Sequence, residues 1–328
     1  MPFHILCLSG GGFLGLYTAA VLAELEAESG RPILESFDLV AGTSVGGIIA
    51  LGLAAGRPAA EIRDAISDHG RAIFSARRAP QTGLQKKAAL ALNATHAKYS
   101  SAPLRRVIED LVPTGTRLGD LKHRVMIAAV NLTKGGPQVF KTDHHETFRS
   151  DWKLSVTDVA LATSAAPTFF PLHRIGGQLY ADGGLYANAP DLLAIHEAEH
   201  FLGRKVEDIR LLSIGTTTSK FSISNTSDPN MGWMAWMEGQ RLPSVMIASQ
   251  QLLADAMVTH RLGSNYLRID ADRSPEQERE LGLDVATAAA AADLVGLAQV
   301  SAQAVLGKGT VSPFLTHTAA APQFFHRG

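Results

Sequence analysis

Residues 3–9 form an unbroken apolar run closed by glycines, which predicts a strand buried on both faces. The period then changes. Leu16, Ala19, Ala20, Ala23 and Ala27 recur at helical spacing and predict a helix over 16–29, which Gly30-Arg31-Pro32 ends. A second apolar strand at 37–41 and an apolar helix at 45–55 come next. This β-α-β-α opening predicts an α/β fold in three layers, a mostly parallel central sheet with helices on both faces. From residue 57 to 120 the pattern is helical, with helices over 59–74 and 103–111. Between them Arg77, Arg78, Lys86, Lys87, His96 and Lys98 make a basic, polar interruption. A solvated face explains it; so does a mobile cap over a site, carrying charge that meets phosphate.

Alternation at 124–131 and 138–142, around Gly135-Gly136-Pro137, predicts paired strands. A helix of small residues is expected at 155–165, and a strand at 209–215. Further on, Met231-Gly232-Trp233-Met234-Ala235-Trp236-Met237 and the stretch 242–257 place large, soft apolar side chains at helical spacing. Core packing, an acyl-chain channel, a dimer face or a membrane-touching surface all fit that pattern. An alanine-rich helix is expected over 284–306, then a tail over 310–328 with little periodicity. No internal repeat is visible, and no polar linker cuts the chain.

The candidate chemistry sits where strands turn into helices. Gly42-Thr43-Ser44-Val45-Gly46 is a G-x-S-x-G turn between an apolar strand and an apolar helix. Such an elbow holds a serine in a strained conformation with its hydroxyl projecting, at a helix N-terminus that favours negative charge. An ordinary helix cap at a strand-to-helix turn has the same local sequence. Gly10-Gly11-Gly12, after the first strand, exposes successive backbone N–H groups, as an anion nest or an oxyanion hole requires. The pattern Gly10-x-Gly12-x-x-Gly15 also matches a dinucleotide fingerprint, with Glu35 or Asp38 as its acidic partner. A nucleophile elbow at the end of the second strand argues against that reading. No Gly-Lys-Ser/Thr is present after it to make a P-loop. Asp182-Gly183-Gly184 is either a solvent turn or a buried carboxylate, and the apolar stretch 161–171 before it favours burial.

Composition narrows the field. With 46% apolar and 19% charged residues the chain is not disordered, and a net charge of −1 gives no electrostatic reason to expect DNA or RNA. The lone Cys7 lies in the first strand and cannot form an intrachain disulfide. Histidine and cysteine show no metal-ligand spacing. No basic region precedes the first apolar run and no convincing 18-residue apolar span is present, so neither signal peptide nor membrane span is expected. A cytoplasmic protein that meets membrane from outside is the expectation. The elbow comes too early for an ordinary α/β-hydrolase. His196 falls in the right order for a Ser44-Asp182-His196 triad, but its charged helical context, 190–200, places it on a solvated face.

In order and spacing, Gly10-Gly11-Gly12-x-x-Gly15, Gly42-Thr43-Ser44-Val45-Gly46, Thr163-Ser164-Ala165-Ala166-Pro167 and Asp182-Gly183-Gly184 resemble the patatin-like phospholipase family. Ala-Ser is common in that family at 163–164, and Thr163 departs from it conservatively. The resemblance implies a Ser-Asp dyad, with Ser44 as nucleophile, Asp182 as base and the backbone of Gly10, Gly11 and Gly12 as oxyanion hole. Gly15, Gly42, Gly46, Gly183 and Gly184 would be the supporting glycines. It implies hydrolysis of membrane phospholipid acyl esters with no metal or other cofactor. Phe13-Leu14-Gly15-Leu16-Tyr17, leading through Val21-Leu22-Ala23-Glu24-Leu25-Glu26 to the elbow, is similar to the phospholipase effectors of bacterial anti-phage signalling. That similarity implies a cyclic dinucleotide such as cyclic GMP-AMP as activator, peripheral contact with the inner membrane and room for self-association into a homo-oligomer. The implied organisation is a catalytic domain over 1–220, with a helical cap at about 57–120, and a mainly helical extension over 221–328 packed on the same domain. A silent lipid-binding scaffold, an unregulated lipase and a nucleotide-dependent oxidoreductase are the rival readings.

Overall fold

The computed structural model describes residues 2–74, 96–217, 223–226, 228–232, 236 and 241–326. Arg77, Arg78, Lys86 and Lys87, most of the candidate cap segment 75–102, and Trp233, Met234, Ala235 and Met237 lie outside the described residues. In chain order the elements are β1 (Phe3–Leu8), α1 (Gly15–Ser29), β2 (Leu39–Thr43), α2 (Val45–Ala54), α3 (Ala59–Ile73), α4 (Ser101–Leu111), β3 (Val125–Asn131) and β4 (Gly136–Lys141). They continue as α5 (Val156–Thr163), β5 (His173–Ile175), β6 (Gln178–Asp182), α6 (Asp191–His196), β7 (Ile209–Ile214), α7 (Arg241–Leu262) and β8 (Tyr266–Ile269). Last come α8 (Pro275–Glu280), α9 (Ala288–Gly307) and α10 (Ser312–Leu315).

One mixed sheet runs β5-β6-β3-β2-β1-β7-β8, with β4 also paired to β3. Strands β3, β2, β1, β7 and β8 are parallel, and β4, β5 and β6 add antiparallel pairs. The period-2 geometry of β1 sends Leu6 and Leu8 into one core layer and Phe3, Ile5 and Cys7 into the other. The first layer packs under α1 to α5 and α9; the second lies under α6 and α7. This is the three-layer α/β arrangement expected from the opening pattern.

Register along β3 sets the geometry of the site. β4 pairs with residues 126–131 and so occupies one edge of β3. The other edge is shared: β2 takes residues 125–128, ending at Thr43 opposite Ala128, and β6 continues it with Asp182 opposite Ala129. The end of β2 and the end of β6 therefore meet at consecutive positions of a single strand.

The structure departs from the sequence reading in several places. The last long helix begins at Ala288, because the Thr287 hydroxyl caps it by accepting from the Ala290 amide (3.1 Å), leaving 281–287 as a loop. Strand β8 has no counterpart in the sequence pattern: four residues containing an arginine carry no strand signature, and their pairing with β7 is what makes them a strand. The tail is tied back by non-local bonds. Its Ala319 amide donates to the Glu35 carbonyl (2.8 Å), His317 Nε2 to Asp38 Oδ2 (2.9 Å) and the His326 amide to Asp143 Oδ2 (2.9 Å).

Candidate active site

Ser44 stands between β2 and α2 with φ 55° and ψ −125°, a region that costs a non-glycine residue about 1–3 kcal/mol. Its surroundings hold it there. The Ser44 amide donates to Thr163 Oγ1 (2.8 Å), which in turn donates to the Ala128 carbonyl (2.6 Å), while the Thr43 hydroxyl donates to the Ala187 carbonyl (2.6 Å). Strand and helix cross so closely that a Cβ on Gly42 would overlap the Gly46 carbonyl, and one on Gly46 would overlap the Leu8 carbonyl. Gly15 likewise makes room for Val45, and Gly183 for the Ala128 carbonyl.

The β3 register brings Asp182 beside this serine. Ser44 Oγ donates to Asp182 Oδ2 at 2.7 Å, and the Gly184 amide donates to Oδ1 at 2.7 Å. The Asp182 amide donates to the Ala165 carbonyl (3.0 Å), so the 163–165 turn grips the backbone of both residues. Asp182 is buried. Removal from water pushes its pKa up to about 6, against the pull of the hydrogen bonds from Ser44 and Gly184, which favour the charged form.

The glycine loop corrects one expectation. Gly10 is not free to serve as an oxyanion donor: its amide donates to the Asn188 carbonyl (2.9 Å), and its carbonyl accepts from Asn188 Nδ2 (3.0 Å) and Thr216 Oγ1 (3.1 Å). Gly11 and Gly12 line the cavity in front of Ser44, and among the described residues no acceptor faces either amide. Gly12 has φ 57°, and the next amide, Phe13, is already held by the Leu283 carbonyl (2.8 Å). The trio of donors thus narrows to a pair.

Two further residues organise the turn after Asp182. Asn188 links it to Gly10, and Gln250 on α7 accepts from the Asn188 amide (3.0 Å) while donating to the Gly184 carbonyl (3.0 Å). Asn188 lies close after Asp182 in the chain. Gln250 lies 66 residues beyond Gly184 on a helix and carries no local signal.

Ser44, Asp182, Gly11 and Gly12 open onto a cavity of about 280 Å³. Its wall is otherwise almost wholly apolar, including Phe13, Ile48, Phe74, Leu104, Phe170 and Met246. Among the described residues no histidine lines it. His196 is exposed and stacks on His200 with ring centroids 5.2 Å apart, so the triad reading has no support in the geometry. Lys98, one of the basic residues expected to be solvated or to meet phosphate, is paired with Asp284 (2.5 Å), which also accepts from the Tyr99 hydroxyl (2.7 Å). No group of His, Cys, Asp and Glu able to hold a metal is found among the described residues.

A strained serine at an elbow, bonded to a buried carboxylate and facing an apolar cavity, has the arrangement of a serine acyl hydrolase built on an α/β sheet. Residues 6–195 match the patatin-like phospholipase family, and the chain belongs to it. It is 43% identical over 326 residues to a cGAMP-activated phospholipase of Pseudomonas aeruginosa, covering 99% of this chain and 95% of that one. A cGAMP-activated phospholipase of Vibrio cholerae is 37% identical over 89% of this chain and 88% of its own. One from Escherichia coli is 36% identical over 87% of this chain and 84% of its own. The protein is accordingly an enzyme, a carboxylic ester hydrolase of the patatin-like type.

Proposed function

We propose that the protein hydrolyses fatty acyl esters of membrane phospholipids through Ser44 and Asp182, and that a cyclic dinucleotide of the cyclic GMP-AMP type switches it on. The observation that carries the chemistry is the 2.7 Å hydrogen bond from Ser44 to a buried carboxylate at the head of an apolar cavity. A free aspartate, with a pKa near about 3.9, is a poor base for a hydroxyl. Burial strengthens Asp182 as a base while leaving it ionised at neutral pH.

In this scheme the acyl chain lies in the cavity and the ester carbonyl meets Ser44 Oγ. Asp182 accepts the serine proton as Oγ bonds to the carbonyl carbon, and the amides of Gly11 and Gly12 receive the developing oxyanion. The N-terminus of α2 adds positive potential at the nucleophile. Asp182 then returns the proton to the leaving alcohol. Water, losing a proton to the same carboxylate, attacks the acyl-serine; the bond to Ser44 Oγ breaks, Asp182 returns the proton to Oγ, and the fatty acid leaves.

Support for the switch comes from the three bacterial relatives, whose similarity extends over most of the chain. An effector that attacks membrane lipid needs a quiet resting state, consistent with a role in anti-phage signalling. Moving a site from about 1% to 99% competent requires a ligand that prefers the competent state about 10⁴-fold, roughly 5.5 kcal/mol. Self-association and a change within one chain are both compatible with such a shift. The enzyme would meet the inner membrane peripherally, from the cytoplasm.

Lipid analysis of a phospholipid mixture incubated with the protein, with and without each member of a cyclic dinucleotide panel, tests both halves. Free fatty acid released on addition of cyclic GMP-AMP, and absent with Ser44→Ala, is expected. Equal release with and without every ligand sinks the switch; equal release by the Ser44→Ala protein sinks the catalytic assignment.

A further inference from the structure

Helix α7 buries one row of side chains, Ala248, Gln251, Ala254, Val258 and Leu262. The opposite face of a surface helix is ordinarily polar. Here it carries Leu242, Met246, Leu253 and Met257, which fall within about 60° of one another on a helix of 3.6 residues per turn. Leu253 is 60% exposed and Met257 47%. Exposed apolar groups in a contiguous row mark a surface that meets something apolar.

What it meets is indicated by where the row begins. Leu242 and Met246 are on the wall of the Ser44 cavity, as is Leu185, itself 37% exposed and next to Gly184. Gln250 bonds α7 to that same turn through the Gly184 carbonyl. One face of α7 therefore leads from the cavity wall at Leu242 and Met246, past Ser249 and Gln250, to the exposed Leu253 and Met257. The row carries no acidic group. The one carboxylate within α7, Asp255, accepts from the Tyr266 hydroxyl (3.0 Å) on the side away from the row, and Arg261 at the end of the helix is paired with Glu199.

We propose that the outward face of α7 docks on a phospholipid bilayer, seating Leu253 and Met257 among the acyl chains so that a lipid passes along Leu242 and Met246 to Ser44. This rests on the reading of the site as a phospholipase. An apolar helix face lying in the membrane interface, free of acidic groups, is the form that peripheral lipid binding takes.

The test uses full-length protein carrying Ser44→Ala, so that vesicles stay intact, with and without Leu253→Glu plus Met257→Glu, in saturating cyclic GMP-AMP. Sedimentation with phosphatidylethanolamine–phosphatidylglycerol vesicles is expected to show the added glutamates lowering partition at least tenfold. In the Ser44 protein, the same two substitutions should lower vesicle hydrolysis similarly yet leave hydrolysis of dispersed p-nitrophenyl butyrate and the thermal midpoint unchanged. Undiminished partition of the glutamate variant, or no partition of its parent, overturns the docking surface. So does light scattering in which the parent is an oligomer that the glutamates dissociate, since a second copy would then cover the row. If the unsubstituted protein cleaves neither substrate, the phospholipase reading fails while sedimentation still decides the surface.

Discussion

Asp182 is held in tension between two environments. Its folded pKa of about 6 lies above the ordinary 3.8, so the native state binds this proton more tightly than the unfolded chain does. The stability this contributes is complete below about pH 4 and is lost as pH rises through about 6. Asp182→Asn should therefore remove turnover by several orders of magnitude while raising the thermal midpoint above pH 6, by up to about 3 kcal/mol of stability, with no gain below pH 4. A midpoint that fails to rise at pH 7.5 would contradict the burial argument. In the unsubstituted enzyme kcat/KM should climb with pH and level off above about 6, and His196→Ala should leave that profile in place. Thr163 is the other decisive residue, since its hydroxyl both accepts from Ser44 and donates to Ala128. Thr163→Val keeps the shape and loses both bonds, so kcat should fall at least tenfold with KM little changed. Thr163→Ser should restore it; a loss of thermal stability with normal kcat at low temperature would reduce Thr163 to packing.

Among the elements, α7 reaches the turn that follows Asp182 through Gln250. Gln250 makes two hydrogen bonds to the 183–188 turn, each worth about 1 kcal/mol net. Gln250→Leu should lower stability by about 1–3 kcal/mol, measured by chemical denaturation, and lower turnover of a soluble ester because the Gly184 amide that holds Asp182 Oδ1 shifts with its turn. Unchanged kcat in a destabilised variant would show that the dyad is positioned without α7. The loop 281–287 plays a comparable part on the other side of the cavity, where the Leu283 carbonyl engages Phe13 and Asp284 engages Lys98 and Tyr99.

For the whole molecule, the sheet crosses the boundary at residue 220 suggested by the sequence. β8 pairs with β7 along four residues, and the buried Leu294 and Ala298 of α9 belong to the same core layer as α1. We propose that 221–328 is inseparable from the catalytic part. A chain ending at residue 220 should be insoluble or lack a cooperative thermal transition, because it would uncover that layer and the β7 edge. A soluble fragment with a sharp transition would establish 1–220 as an independent domain.

Much of this is legible in the chain itself. β1, β2, β7 and the helices beside them come from apolar runs and glycine turns, because elements buried on a sheet need continuous hydrophobic surface and that need is local. Ser44 and Asp182 are legible for a related reason: an elbow and a tight Asp-Gly-Gly turn demand small residues at fixed spacing. Other features have no local signature. That Gly10 is engaged while Gly11 and Gly12 are open depends on Asn188 and Thr216, distant residues whose bonds compete for the same amide and carbonyl. Strand β8, the anchored tail and the grip of Thr163 and Gln250 likewise arise from partners far along the chain. The meeting of Ser44 with Asp182 was decided by register, since both β2 and β6 end on one edge of β3 at Ala128 and Ala129, and pairing between strands is a property of the assembled sheet alone.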